Sequence, residues 1–178
     1  MSDAIKKILK SKEYDFLREN EHLGKNIILL TLGGSYAYGT NTKTSDLDIR
    51  GVARNTEEEL LGLSKFETFE HKEADTVIHS VNKVISLLIN CNPNIVELFG
   101  TKDEHIFVIT KEGEMLKNNI DLFLTKKVAN SFGGYATSQL RRIENALTKG
   151  SYPQSKKEEH ILHSIEKQMQ HLKKSYEE

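Results

Sequence analysis

Residues 30–53 read LTLGGSYAYGTNTKTSDLDIRGVA. An apolar run, Asn26 to Leu32 (NIILLTL), leads into this stretch and is rich in β-branched residues. Such a run ending in two glycines predicts a buried strand. Gly33, Gly34 and Ser35 follow at once, where a strand turns into a helix. A helix start leaves backbone N–H groups without partners, and these groups bind anions, phosphates above all. Glycine lets a backbone approach such a ligand closely. Ser35 adds a hydroxyl donor.

Asp46 and Asp48 come next, one residue apart, in a segment that alternates (LDIRGVA, 47–53) and predicts a second strand. Strand residues at i and i+2 point to the same side, so the two carboxylates and Arg50 share a face. Like charges this close disfavour full ionisation unless a cation sits between them. Paired carboxylates beside a phosphate-binding turn meet the needs of two-metal phosphoryl transfer, because hard divalent ions take oxygen ligands. The alternative is an Asp pair facing solvent and salt-bridged to Arg50.

The rest of the chain bounds the reading. Its 178 residues suffice for one domain with a core and a helical appendage. Charged residues make up 29% and apolar residues 37%, and 25 basic residues face 26 acidic ones. That balance excludes a global polycation for nucleic acid but leaves room for a local basic face. The lone cysteine, Cys91, excludes an internal disulfide and reads as a buried thiol in a reducing compartment, so a cytoplasmic location is expected. No run approaches the roughly 20 apolar residues of a membrane span, and the N-terminus carries charges throughout, with no signal-peptide core.

Residues 2–20 predict a helix with a break near Ser11. Thr56 with Glu59 three later forms a capping box. KFETFE and DTVIHSV predict two further strands, and EHIFVIT a third. Residues 80–90 have helical spacing, which NCNPN breaks, since a residue before proline avoids the helical region. Beyond these the chain reads helical over 111–118, 121–149 and 156–176. The stripe Leu140, Ile143 and Leu147 is expected to face a core, and that of the terminal helix a core or a second copy of the chain. His160 and His163 sit at i, i+3 there, without a partner ligand in register. The predicted class is α+β: a small mixed-sheet core over 1–110, flanked by helices, then a helical region over 111–178.

The spacing Gly34-Ser35, Gly39, Ser45-Asp46-Leu47-Asp48 resembles the nucleotidyltransferases of the DNA polymerase β superfamily, which pair a Gly-Ser turn with an Asp-x-Asp strand about ten residues on. Within it, GSYAYGTNTKTSDLDIRGV (34–52) is similar to a subgroup of predicted bacterial and phage enzymes over nineteen residues. DTVIHSVNKVISLLINCNPNIVELF (75–99) and FGGYATSQLRRIENA (132–146) extend the resemblance over roughly 27–147. Subgroup members run longer than this chain, which implies a short form or a piece of a longer protein.

The resemblance implies a third carboxylate on a later strand. Glu70, Glu73 and Asp75 are available, and the subgroup's pattern favours Asp75. Asp46 and Asp48 would then bridge two Mg²⁺ or Mn²⁺ ions, with Asp75 completing one. Gly33, Gly34, Ser35 and Ser45 fall at nucleotide-binding positions. Arg50 and Lys83 are the nearby cations: Arg50 either pairs with Asp48 or reaches a phosphate, and Lys83 is either a ligand or solvated. His79 shares a strand face with Asp75 and is expected to be a partly exposed structural residue. Lys126, Lys127, Arg141 and Arg142 offer a basic wall. The implied activity transfers a nucleoside monophosphate from a nucleoside triphosphate to a hydroxyl on RNA, a protein or a small molecule. The alternative is a catalytically inactive nucleotide-binding regulatory module of the same fold.

Overall fold

The computed structural model describes residues 2–148, with side chains for 5–145. The chain divides into two compact units, 1–133 and 134–178. The first is an α+β unit built on a five-stranded sheet. Its strands are β1 (Ile27–Leu32), β2 (Ile49–Ala53), β3 (Thr68–His71), β4 (Thr76–Ser80) and β5 (Ile106–Ile109), in the order β3-β4-β2-β1-β5. β1 pairs antiparallel with β2 and β5, β3 pairs antiparallel with β4, and β2 and β4 run parallel. The sheet is therefore mixed, and the parallel pair carries its consequence for the site: β2 and β4 begin at the same end.

β1 is buried along its whole length, as its unbroken apolar run requires. Side-chain alternation splits the core in two. Leu30, Leu32, Ile49, Ala53 and Ile78 pack on one face with Ile5 and Leu9 around helix α1 (Ser2–Ile8) and Leu17 of α2 (Phe16–Glu19). Ile28, Leu29 and Val52 pack on the other with Val84 and Leu88 of α5 (Val81–Ile89) and Ile95, Leu98 and Phe99 of α6 (Pro93–Phe99). Each such Leu, Ile or Phe contributes about 1.5–3 kcal/mol of burial.

Local signals set the boundaries. The Thr56–Glu59 capping box opens α4 (Glu57–Leu60). The Ser80 hydroxyl accepts from the Lys83 amide at 3.2 Å and starts α5. Pro93 occupies the first turn of α6, where its missing N–H costs nothing, and Asn92 caps it. α7 (Lys111–Asn118) lies where the periodicity placed it. The break at Ser11 is real: a 3-10 turn over Lys12–Tyr14 separates α1 from α2. Cys91 is buried, with its thiol donating to the Phe123 carbonyl.

Three expectations need correction. The second strand starts at Ile49, not Leu47, because β1 has already turned away into α3 (Gly34–Tyr38) and leaves only the Gly33 amide to meet the Asp48 carbonyl. The helix expected over 121–149 begins as a 3-10 turn at Ile120–Phe123, and α8 starts at Lys127 and runs to Thr148. Leu140 and Ile143 are 61% and 56% exposed, so they do not face a core. Leu147 and the terminal helix with its histidines lie outside the residues whose side chains are described. Among the described residues no helix is long and apolar enough to cross a membrane.

Candidate active site

The site forms where β1 ends and where β2 and β4 begin. Gly33 is extended, and Gly34 opens α3 with φ +52, a left-handed value that suits glycine. A Cβ on Gly34 would lie 2.0 Å from Oδ2 of Asp48, and one on Gly33 would lie 2.8 Å from Cγ of Arg50. The two glycines are thus a matter of space as well as conformation, because the Asp48 carboxylate and the Arg50 stem lie directly against their backbone. Gly39 (φ +70) ends the five-residue helix. Such a short helix has little dipole, so its anion-binding capacity lies in its first amides, which have no intrahelical acceptor.

Parallel pairing of β2 with β4 brings the third carboxylate in. The Ile49 amide donates to the Asp75 carbonyl at 3.0 Å, which extends the ladder one residue below β4. Asp75 itself has φ +34, an uncommon value for a residue with a Cβ. Its carboxylate and that of Asp48 share one donor on Arg50. Glu73 is instead 92% exposed beside His71, and Glu70 is exposed on β3.

Arg50 ties this arrangement together. Its Nη1 donates to the Ile49 carbonyl at 3.0 Å and to the Asp75 carbonyl at 2.7 Å. Its Nη2 donates to Oδ1 of Asp48 at 2.7 Å and to Oδ1 of Asp75 at 3.1 Å. Burial pushes the Asp48 carboxyl above its ordinary range, and the hydrogen bond and charge from Asp75 and the charge of Asp46 push it the same way; Arg50 opposes them. Even with Arg50 present, the cluster is short of positive charge.

The remaining expected site residues lie around this centre. Asp46 is exposed, close enough for its charge to act on Asp48. As the side chains stand, no three of the described His, Cys, Asp and Glu residues meet closely enough to hold a metal ion. Ser35 lies in the first turn of α3, where its carbonyl accepts from the Thr40 amide. The Ser45 hydroxyl accepts from the Thr42 amide at 2.8 Å and fixes the loop that leads to Asp46. Lys83 pairs with Glu67 at 3.1 Å. His79 is half-buried with Nδ1 2.9 Å from Oγ1 of Thr68; burial, with the charges of Lys83 and Arg50, lowers its pKa against an opposing push from Glu70. A cavity beside α1 and α2, lined by Lys6, Lys10, Arg18 and Phe107 among others, includes none of these residues.

The structure sets the Gly-Gly-Ser turn against Asp48 and brings Asp75 to the same Arg50 nitrogen, while Asp46, which the resemblance pairs with Asp48, is exposed. The model of the RNA repair pathway DNA polymerase beta family, RlaP, matches residues 2–175. The chain belongs to that family. RlaP membership places it among the polymerase β-like nucleotidyltransferases. Among curated proteins and among solved structures nothing matches the chain significantly.

Two features of this RlaP site were not legible in the sequence. One is the double anchoring of Arg50 on main-chain carbonyls, which depends on the parallel register of β2 and β4. The other is Tyr14, buried in the core, whose phenol is pushed up by burial and by the charges of Glu13 and Asp75. Tyr14 therefore lies near enough to sense Asp75. Its place in a broken N-terminal helix gave no signal of that.

Proposed function

We propose that this RlaP chain transfers a nucleoside monophosphate from a nucleoside triphosphate to a hydroxyl acceptor, an RNA end above all, and releases pyrophosphate. The observation that carries the proposal is the meeting of Asp48, which lies against the Gly34 backbone, with Asp75 on one nitrogen of Arg50. A phosphate bound at this turn would face the Asp48 carboxylate, so the two need a cation between them. The donor set is all carboxylate oxygen, and burial with the neighbouring Asp75 and Asp46 raises the pKa of Asp48, a crowding that a divalent ion between the carboxylates would relieve.

Asp48, Asp75 and the exposed Asp46 would hold Mg²⁺ or Mn²⁺, two ions in the full arrangement. When bound, these ions neutralise phosphate charge and make the acceptor hydroxyl more acidic. The chain supplies the rest. The Gly34 and Ser35 amides and the Ser35 hydroxyl hold the outer phosphates, with Gly33 keeping the turn open to them. The Ser45 loop presents Asp46. Before the ions bind, Arg50 fixes the carboxylates relative to the turn. Catalysis then rests on positioning and on charge complementarity in the transition state. The acceptor oxygen bonds to the α-phosphorus, the bond to the β-phosphate bridging oxygen breaks, and the hydroxyl proton passes to solvent. The exposed Lys126, Lys127, Arg141 and Arg142 are basic groups suited to an RNA backbone. The reduced thiol Cys91 suits the cytoplasm, where we place the activity.

One observation favours a second reading. Arg50 already bridges Asp48 and Asp75, and a module that binds nucleotide without turning it over would have this appearance. Incubation with labelled nucleoside triphosphates, Mg²⁺ and an RNA acceptor separates the two. Pyrophosphate release that requires acceptor supports transfer. Nucleotide binding without release supports the regulatory module.

A further inference from the structure

We propose that Arg50 is a placeholder cation. Its Nη2 holds Asp48 and Asp75 together in the metal-free protein and must give them up when a divalent ion and a nucleotide arrive, so that each binds better in the presence of the other. The inference rests on the metal-dependent reading above and adds a role for Arg50 that the reading does not require.

The two halves of the guanidinium do different things. Nη1 is spent on main-chain carbonyls, of Ile49 at 3.0 Å and Asp75 at 2.7 Å. Those carbonyls belong to the junction of β2 and β4 and do not move with the carboxylates. The Arg50 stem is also confined, since Gly33 leaves just enough room for its Cγ. Nη2 is consequently delivered between the two carboxylates, at 2.7 Å from Asp48 and 3.1 Å from Asp75. The planar fork of arginine allows this division of labour, which a lysine cannot reproduce.

Charge decides what happens next. One guanidinium faces Asp48 and Asp75 directly, with Asp46 acting on Asp48 as well, so it leaves the cluster negative. An ion that takes Oδ1 of Asp48 or of Asp75 takes an atom that Nη2 now holds. The freed Nη2 still faces the site, because Nη1 and the stem keep the guanidinium in place. An N–H donor on a cation with no carboxylate left is matched by a phosphate oxygen. A nucleotide therefore takes up the donor that the ion displaces, and the two ligands are thermodynamically linked. Without a nucleotide, the ion must compete with Arg50 and leave its Nη2 unpaired.

The test measures Mn²⁺ binding to the full chain by electron paramagnetic resonance, alone and with an α,β-methylene nucleoside triphosphate that cannot be turned over. Wild type is expected to bind Mn²⁺ weakly alone and about tenfold or more tighter with the analogue, within the usual span of coupling factors. Arg50→Gln is expected to bind Mn²⁺ alone about fivefold tighter than wild type and to lose most of the gain from the analogue. Arg50→Gln that binds Mn²⁺ alone no tighter than wild type, with the gain retained, overturns the placeholder while leaving the metal site standing. Wild type that binds no Mn²⁺ even with the analogue overturns the metal reading and the placeholder together. A second measurement needs no variant. In ¹⁵N-arginine-labelled wild type, the Arg50 guanidinium signals should shift on adding Mg²⁺ with the analogue; signals that stay unchanged at saturation overturn the proposal.

Discussion

Asp48 and Asp75 accept hydrogen bonds from the same nitrogen, Nη2 of Arg50, at 2.7 and 3.1 Å. They arrive there from the starts of two parallel strands, and one further carboxylate, Asp46, stands in solvent beside them.

The first expected outcome concerns these acids. Asp48→Asn or Asp75→Asn should lower nucleotide transfer at least about a hundredfold, a loss on the scale of removing one preorganised electrostatic group. Glu73→Gln, at a residue 92% exposed beside His71, should leave transfer within about twofold. Pyrophosphate release measures both. Far-ultraviolet circular dichroism should show an unchanged fold, because neither Asp side chain belongs to the core.

Gly34→Ala tests the close approach. The new Cβ meets Oδ2 of Asp48, and the backbone must hold φ +52 with a side chain attached. The left-handed conformation alone costs about 1–2 kcal/mol, and relief of the clash requires Asp48 to move. Urea unfolding should show the destabilisation, and transfer should fall together with it. Gly39→Ala has open space around its Cβ, so it should cost only the conformational part.

The sheet and the turn were legible because each rests on a local signal. NIILLTL carries no charge, its one polar residue inside the strand being the buried Thr31, and that pattern fits a strand covered on both faces. The capping box at Thr56, the proline at position 93 and the periodicity of 111–118 act within one turn of chain, so they survive folding unchanged. Asp75 was picked out among three acids by resemblance rather than by chemistry, since Glu73 has the same charge two residues earlier. What separates them is the turn at Asp75, where the strand's alternation has not yet begun. Arg50 illustrates the limit. Its partners are set by the register between β2 and β4, and no local pattern encodes a register across two strands. The exposed Leu140 and Ile143 show the converse: helical periodicity marks an apolar face without saying what covers it.

His79 gives the pH dependence. Its pKa in the folded protein lies below the ordinary 6.5, chiefly because burial disfavours the charged ring. The unfolded chain therefore binds the proton more readily than the folded one. Stability from this residue is complete above pH 6.5 and is lost as pH falls through the lowered folded value. His79→Gln removes the titrating group, so its thermal midpoint should vary less than that of wild type over this range. Parallel curves for the two proteins would contradict the assignment.

The central claim is that Asp48 and Asp75 hold a divalent ion against a triphosphate seated on the Gly34–Ser35 turn. The most direct measurement is a crystal structure of the protein with Mn²⁺ and a non-hydrolysable nucleoside triphosphate, read by its anomalous signal. The expected result is a Mn²⁺ peak ligated by both carboxylates, with phosphate oxygens on the Gly34 and Ser35 amides. A nucleotide bound at another surface, with Arg50 still bridging two metal-free carboxylates, would contradict it.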